Sequence, residues 1–232
     1  MGTIQTPLNE KKTYLVVGLG RFGTALSLRL TESGAYVIAV DRVKSRVDEL
    51  ADSLEFVAQI DATDEASLLK VGAKDADVAV VCLGEKAEAT ILVTAILVEL
   101  GIPKVVARAS DELQARILAK VGAHEVVSPE TEMGRRTADI LEKPWMSRFT
   151  GLGDEDHLAG KLETPREMAG KTLKELSLPD RFGTTIVAIQ RDGRNNLPHA
   201  NFVLEEGDML WLFGDKSRMT PLLETIKTEE SQ

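Results

Sequence analysis

Gly18, Gly20 and Gly23 in the run TYLVVGLGRFG (residues 13–23), Arg21 inside that loop, and Asp41 and Arg108 further on have the types and spacing for one kind of chemistry. That chemistry is the capture of phosphate and ribose. A G-x-G-x-x-G pattern that follows a short apolar run and opens a helix is a dinucleotide fingerprint. One glycine makes the tight turn, one lets backbone approach a pyrophosphate, and one allows close helix–strand packing. The helix that opens there offers free backbone N–H groups and the positive end of its dipole to the phosphates. Arg21 and the adjacent Phe22 belong to this loop. The Arg21 guanidinium is placed to pair with phosphate oxygens, the alternative being a solvated first-turn residue.

Asp41 closes a second apolar run and lies 18 residues beyond Gly23. There this fold places a carboxylate that accepts hydrogen bonds from the adenosine ribose; an ordinary strand-end cap is the plainer alternative. Such an acid disfavours a ribose 2′-phosphate, and the adjacent Arg42 keeps that exclusion from being absolute. Asp61, Ala62, Thr63 and Asp64 follow the third apolar run directly, at a strand's carboxyl end where open α/β sheets bind ligands. Asp64 is also placed to cap the next helix. Gly84, beyond the fourth run, and Arg108, at the end of the fifth, complete the candidate nucleotide site.

Bond-breaking chemistry is poorly supplied. The three histidines, His124, His157 and His199, are remote in sequence from the glycine loop, and no His/Cys cluster has metal-ligand spacing. The one cysteine, Cys82, sits in the apolar run ADVAVVCL and reads as a buried structural thiol in a reducing compartment. The site reads as built to hold a nucleotide rather than to react it, so the chain is expected not to be an enzyme. Two alternatives stay open: a small NAD(P)-dependent oxidoreductase, and a stand-alone nucleotide or redox sensor with a non-channel partner.

The elements that must carry these residues alternate. Strands are expected at 14–17, 36–40, 54–60, 77–83, 104–109 and 125–127, with helices at 22–30, 44–53, 65–71, 86–100, 111–121 and 130–141. Alternation of this kind implies a Rossmann-like, doubly wound parallel sheet of six strands, covered on both faces, with a further crossover helix. The helix at 86–100 contains ILVTAILVEL, apolar almost all round, and is expected to be buried on more than one side, in the core or at a subunit interface. Trp145, Met146 and Phe149 need cover from a second domain or a partner. After GLGDED (151–156), strands at 157–165, 184–191 and 208–213 and helices at 171–176 and 217–226 make a small C-terminal α+β module. The expected division is 1–142, nucleotide-binding; 143–156, crossover and linker; and 157–232, the C-terminal module.

A net charge of −9 argues against a nucleic-acid partner and offers no basic surface to anionic lipid. No stretch has the roughly 18 consecutive apolar residues of a membrane span, and the N-terminus lacks the apolar centre of a signal peptide. A cytoplasmic protein is expected, with any membrane connection made through a partner.

GLGRFG, the acid-ended second strand, QIDATD, VVARAS, VGAHEVVSPETEMG and the small C-terminal module resemble, in that order, the RCK (KTN) regulatory subunits of Ktr/Trk-type potassium transport systems. The resemblance runs from about Lys12 to Ile226 and is closest to the single-unit Ktr type. It implies a homodimer that assembles into an octameric gating ring beneath a potassium-translocating membrane subunit, with ATP and ADP favouring different ring shapes and NAD or NADH as other ligands. It implies that Gly18, Gly20 and Gly23 form the phosphate loop, Asp41 holds ribose, Asp61, Ala62 and Thr63 flank the adenosine, and Arg108 contacts the phosphates. Arg21 would reach the terminal phosphate, and Glu130 would place Mg2+ or another cation near the γ-phosphate; from its position alone Glu130 is equally a helix first-turn acid. In some members cyclic di-AMP binds the C-terminal module, and Ile189, Arg191, Asn195 and Pro198 occupy the matching stretch; the module's simpler role is to join subunits.

Overall fold

Leu15, Val16 and Val17 show why the first run is apolar throughout. Successive strand residues point to opposite faces, and here Leu15 and Val17 pack into one buried cluster while Val16 packs into another. Both faces are covered, so no polar alternation survives. The structure, a computed structural model, describes residues 11–84, 87–151 and 156–225. The chain divides into two compact units, Met1–Met133 and Gly134–Gln232.

In the first unit, strands β1 (Thr13–Val17), β2 (Tyr36–Asp41), β3 (Phe56–Gln59), β4 (Val78–Val81), β5 (Lys104–Arg108) and β6 (Glu125–Val127) form one sheet in the order β3-β2-β1-β4-β5-β6. Every pair is parallel, and Leu15 lies between Ile38 and Ala79. This is the doubly wound order, which reverses between β1 and β4. Helices α1 (Arg21–Glu32) and α2 (Lys44–Leu50) supply Leu26, Leu30, Val47 and Leu50 to the face that holds Val16. Helices α3 (Glu65–Lys70), α4 (Ala87–Glu99) and α5 (Glu112–Val121) supply Leu68, Val93, Ile96, Leu97 and Leu118 to the other. The six expected strands and their helices are present, and the Rossmann-like reading holds. Residue 86, the expected start of α4, lies outside the described residues.

Within the single chain α4 buries Val93, Thr94, Ile96 and Leu97, while Leu92 is 48% exposed; the expected burial on a further side, at a subunit interface, concerns a partner chain. One expectation needs correction. Residues 143–151 are more than a connector. A 3₁₀ turn at Pro144–Arg148 is followed by strand β7 (Phe149–Gly151), which pairs with β8 (His157–Glu163), and Trp145 and Phe149 are buried in the C-terminal core. Their apolar area is the reason, and it is a second domain that covers them. Of the expected linker, 152–155 lie outside the described residues.

The second unit begins within α6 (Pro129–Glu142). Its sheet is antiparallel, β10-β9-β11-β8-β7, with β9 at Thr184–Arg191, β10 at Arg194–Asn196 and β11 at Met209–Asp215. Along β11, Leu210 and Leu212 are buried while Trp211 and Phe213 are part exposed, the alternation of a sheet with one covered face. Helices α7 (Leu173–Leu176), α8 (Leu178–Phe182) and α9 (Lys216–Thr225) complete the module, and Leu176, Leu178, Met219, Leu222 and Leu223 enter its core. Thr172 and Glu175 cap α7 reciprocally. Residue 226, the expected end of α9, is outside the described residues.

Candidate functional site

The three loop glycines have three separate reasons. Gly18 has φ +99°, left-handed backbone that a side chain resists. A Cβ on Gly23 would meet the carbonyl oxygen of Gly18, so α1 lies against the loop only because that atom is missing. A Cβ on Gly20 would meet nothing within 4 Å; its bareness opens space above the backbone. Gly20 is the residue before α1, and no side chain caps that helix. The first-turn N–H groups are therefore presented to the cleft.

That cleft is about 400 Å³ and runs along the carboxyl ends of the parallel strands. Gly18, Gly20, Arg21 and Phe22 line it from the loop, Asp41 and Arg42 from the end of β2, and Asp61, Ala62 and Thr63 from the end of β3. Gly84 lines it from beyond β4, Arg108 from the end of β5, and Glu130 from the first turn of α6. Residues far apart in sequence thus share one cavity. Gly23 does not line it and acts through its packing on Gly18.

Asp41 is not a helix cap; Val43 occupies that position on α2. Asp41 is buried, and its carboxylate accepts the Leu19 N–H at 2.7 Å, the Val43 N–H at 2.8 Å and a guanidinium N–H of Arg46 at 3.3 Å. Asp41 thereby ties the glycine loop to the end of β2. Asp61 accepts both the N–H and the hydroxyl of Thr63. Asp64 caps α3, accepting the N–H and hydroxyl of Ser67.

At the other end, Arg108 donates to Glu130 at 2.5 Å, and its Nε is buried without a hydrogen-bond partner among the described residues. A Cβ at Gly84 would come within 2.9 Å of the Arg108 guanidinium, so that glycine leaves room for it. The Glu130 backbone N–H, and after it the Arg108 and Arg21 guanidiniums, hold the Glu130 carboxyl below the usual carboxylate range. Arg21 itself is exposed and makes no ion pair among the described residues. The Cys82 thiol on the cleft wall is pushed up to about 12 by burial and stays protonated at neutral pH, as expected of a structural cysteine.

A dinucleotide or adenine nucleotide fits these residues: an open cradle at Gly20, uncapped N–H groups, and two arginines with donors to spare. A divalent cation fits less completely. Glu130 is one carboxylate, already paired, and no group of three or more His, Cys, Asp or Glu suited to a metal occurs among the described residues. One carboxylate suffices only for a cation held mainly by phosphate oxygens and water.

The four residues expected of a second effector are not gathered into an open site. Ile189 is completely buried in the C-terminal core. Arg191 is bound to Asp208 through two nitrogens, to Glu205, and to the Val203 carbonyl. Asn195 lies opposite Gln190 on the edge strand β10, and Pro198 is half-buried in the loop beyond. Among the histidines, His124 accepts the Val105 N–H, His157 stacks on Phe213 and His199 meets Phe202 edge-on. Arg46 and Leu83 line the cleft without having been singled out from the sequence. Arg46 had a signal: it sits on the helix that leaves β2, five residues beyond Asp41, close enough to reach back.

No described helix is long and apolar enough to cross a membrane. The TrkA-N domain family matches residues 14–129, and the TrkA-C domain family matches residues 161–226. The chain is 34% identical over 206 residues to the Ktr system potassium uptake protein C of Bacillus subtilis (strain 168), covering 88% of this chain and 92% of that protein. Among solved structures it is similar to the GsuK channel bound to NAD, with 27% identity and a TM-score of 0.55, over 95% of this chain and 39% of that one. GsuK bound to ADP matches at 27% identity and a TM-score of 0.50, over 56% of this chain and 34% of that one. The chain therefore spans less than half the length of these channel chains. With both domain families in order and a full-length potassium-uptake relative above 30% identity, the chain belongs to the TrkA-N/TrkA-C family that includes the Ktr system potassium uptake proteins.

Proposed function

We propose that this chain is a nucleotide-sensing regulatory subunit that gates a potassium-translocating membrane protein of the Ktr/Trk type. One observation carries the proposal: a chain alike over nearly its whole length to a Ktr potassium uptake protein has a nucleotide-sized cleft where the fold's switch point opens. The subunit is cytoplasmic, bound to the inner face of the membrane through its partner, and works as a homodimer assembling into an octameric ring. Residues 1–142 hold the nucleotide, and the C-terminal module, with 143–151 built into it, joins subunits. Cyclic di-AMP regulation is the lesser reading there, because Ile189 and Arg191 are already committed to the fold.

ATP and ADP are the proposed ligands, and NAD or NADH is favoured next by the likeness to GsuK bound to NAD. A ligand shifts a two-state ring only by the difference in its affinity for the two shapes. The residues that can supply that difference are Arg21, with no ion pair among the described residues, and the Arg108–Glu130 pair, which a terminal phosphate would compete to open. Glu130 freed from Arg108 would then be available to Mg2+ or another cation beside that phosphate. Histidines 124, 157 and 199 contribute no acid or base to this cleft, so the proposal is of a sensor and not of a catalyst.

Calorimetric titration of ATP and ADP, each with and without magnesium, tests this on the purified chain and on Arg21→Ala and Glu130→Ala. Both substitutions should narrow the ATP–ADP difference while ADP still binds. Unchanged discrimination in both variants would overturn the sensing mechanism, and nucleotide-independent potassium flux with the reconstituted membrane partner would overturn the gating role.

A further inference from the structure

We infer that the ribose end of the cleft accepts adenine dinucleotides carrying a 2′-phosphate, and that Arg46, with Arg42 beside it, sets this tolerance. The inference rests on the nucleotide reading above and adds a ligand class to it. In a dinucleotide fold, the acid at the end of the second strand selects for free ribose hydroxyls and repels a 2′-phosphate. That repulsion needs a carboxylate whose charge faces the ligand uncompensated.

Asp41 does not meet that condition. One of its oxygens accepts the Leu19 N–H and the Arg46 guanidinium, and the other accepts the Val43 N–H. Its side chain is 3% exposed, whereas that of its ion-pair partner Arg46 is 49% exposed. The pair therefore turns its cationic member toward the cleft, and Arg46 lines that cleft. Arg46 spends one donor on Asp41 and, as a guanidinium, has five to offer. Arg42, next along, also lines the cleft, is exposed, and makes no ion pair among the described residues. The other carboxylate at this end is Asp61, hydrogen-bonded to Thr63. Two guanidiniums thus stand with two carboxylates where a lone acid would exclude a second phosphate. Planar guanidinium forks match phosphate oxygens in geometry as well as charge.

Titration of the full chain with NAD and NADP, which differ only by the 2′-phosphate, tests this, with ADP as the reference ligand. The chain should bind NAD and NADP within about tenfold of each other. Arg46→Ala should weaken NADP by at least about tenfold more than NAD, and Arg46→Lys should recover part of that loss. A purely structural role for Arg46 would move both ligands together. Arg42→Ala removes no ion pair and gives the same selective loss should Arg46→Ala fail to fold. The inference is overturned if the chain binds NAD but disfavours NADP by more than about a hundredfold, or if the variants move both ligands equally. Failure of ADP, NAD and NADP alike would instead bring down the nucleotide reading itself.

Discussion

Arg108 at the end of β5 and Arg191 at the end of β9 both close on carboxylates, and the two closures differ in kind. Among the described residues Arg108 meets one carboxylate, Glu130, which is 60% exposed, and keeps a buried Nε with no partner. Arg191 meets Asp208 through two nitrogens, each at 2.7 Å, and Glu205 at 2.6 Å, and its guanidinium lies over the Phe202 ring. Its main partner, Asp208, has a side chain that is 1% exposed. An antiparallel sheet returns its strands through tight turns, and the turn before β11 delivers Glu205 and Asp208 onto the end of β9. A parallel sheet sends every strand end into a loop on one side, so its polar groups collect around a cleft and face water. One arginine is held by the fold. The other is paired at one exposed carboxylate and lines the cleft.

Removing Arg191 should have the largest effect, because it leaves Asp208 buried and uncompensated. Loss of one partner of a buried pair costs about 3–5 kcal/mol. Both tryptophans, Trp145 and Trp211, lie in the C-terminal unit, so their emission during denaturant unfolding of Arg191→Ala reports the loss directly. Nucleotide binding should persist. The Arg191 hydrogen bonds, more than the Glu205 N–H, hold the Asp208 carboxyl below its ordinary 3.8. Its stabilisation is therefore present above that value and fades as pH falls through the lowered one. In Arg191→Ala this acid-side dependence should flatten; an unaltered acid limb would show that the pair is not what anchors the module.

Gly23→Ala comes next. The added Cβ would lie 1.9 Å from the Gly18 oxygen, and overpacking of this kind costs about 1–3 kcal/mol. Since the loop itself must move, ADP affinity should fall by about tenfold or more in titration. A variant with unchanged affinity would separate the glycine loop from the nucleotide.

The smallest effect on stability belongs to Arg108→Ala. Arg108 is 17% exposed but its partner Glu130 is 60% exposed, so removing the arginine leaves a carboxylate that water can reach, and thermal unfolding should change by only about 1 kcal/mol. Hydrogen bonds to charged groups are worth about 1.5–3 kcal/mol, so ADP affinity should fall by about tenfold or more. If Arg108→Ala destabilises as strongly as Arg191→Ala, the contrast between a presented and a consumed arginine fails.

Much of the N-terminal unit was legible in the residues, because its signals are local. Fully apolar strands, a glycine spacing and acids at strand ends each announce themselves within a few positions. The C-terminal unit was legible in outline only. The edge strands β7 (FTG) and β10 (RNN) are three residues long and have no apolar alternation to betray them. Helix α8 begins with Leu-Pro and ends at a left-handed Gly183, a pattern that reads as a turn.

At the site, residue type and order marked the glycine loop, Asp41, the DAT stretch at 61–63 and Arg108 as candidates, because a nucleotide site needs particular groups at strand ends and a helix start; Glu130 came only from the family resemblance, since an acid in a helix's first turn has a local reason of its own. Which of those groups face the cleft with bonds to spare was settled by packing between distant segments. Asp41 is bound inward because the loop at Leu19 and the helix bearing Arg46 both converge on it. Arg191, placed in sequence like an effector ligand, is bound to an acid 17 residues away. Chain order supplies the candidates for a site, and the fold, by pairing some charges and leaving others open, selects among them.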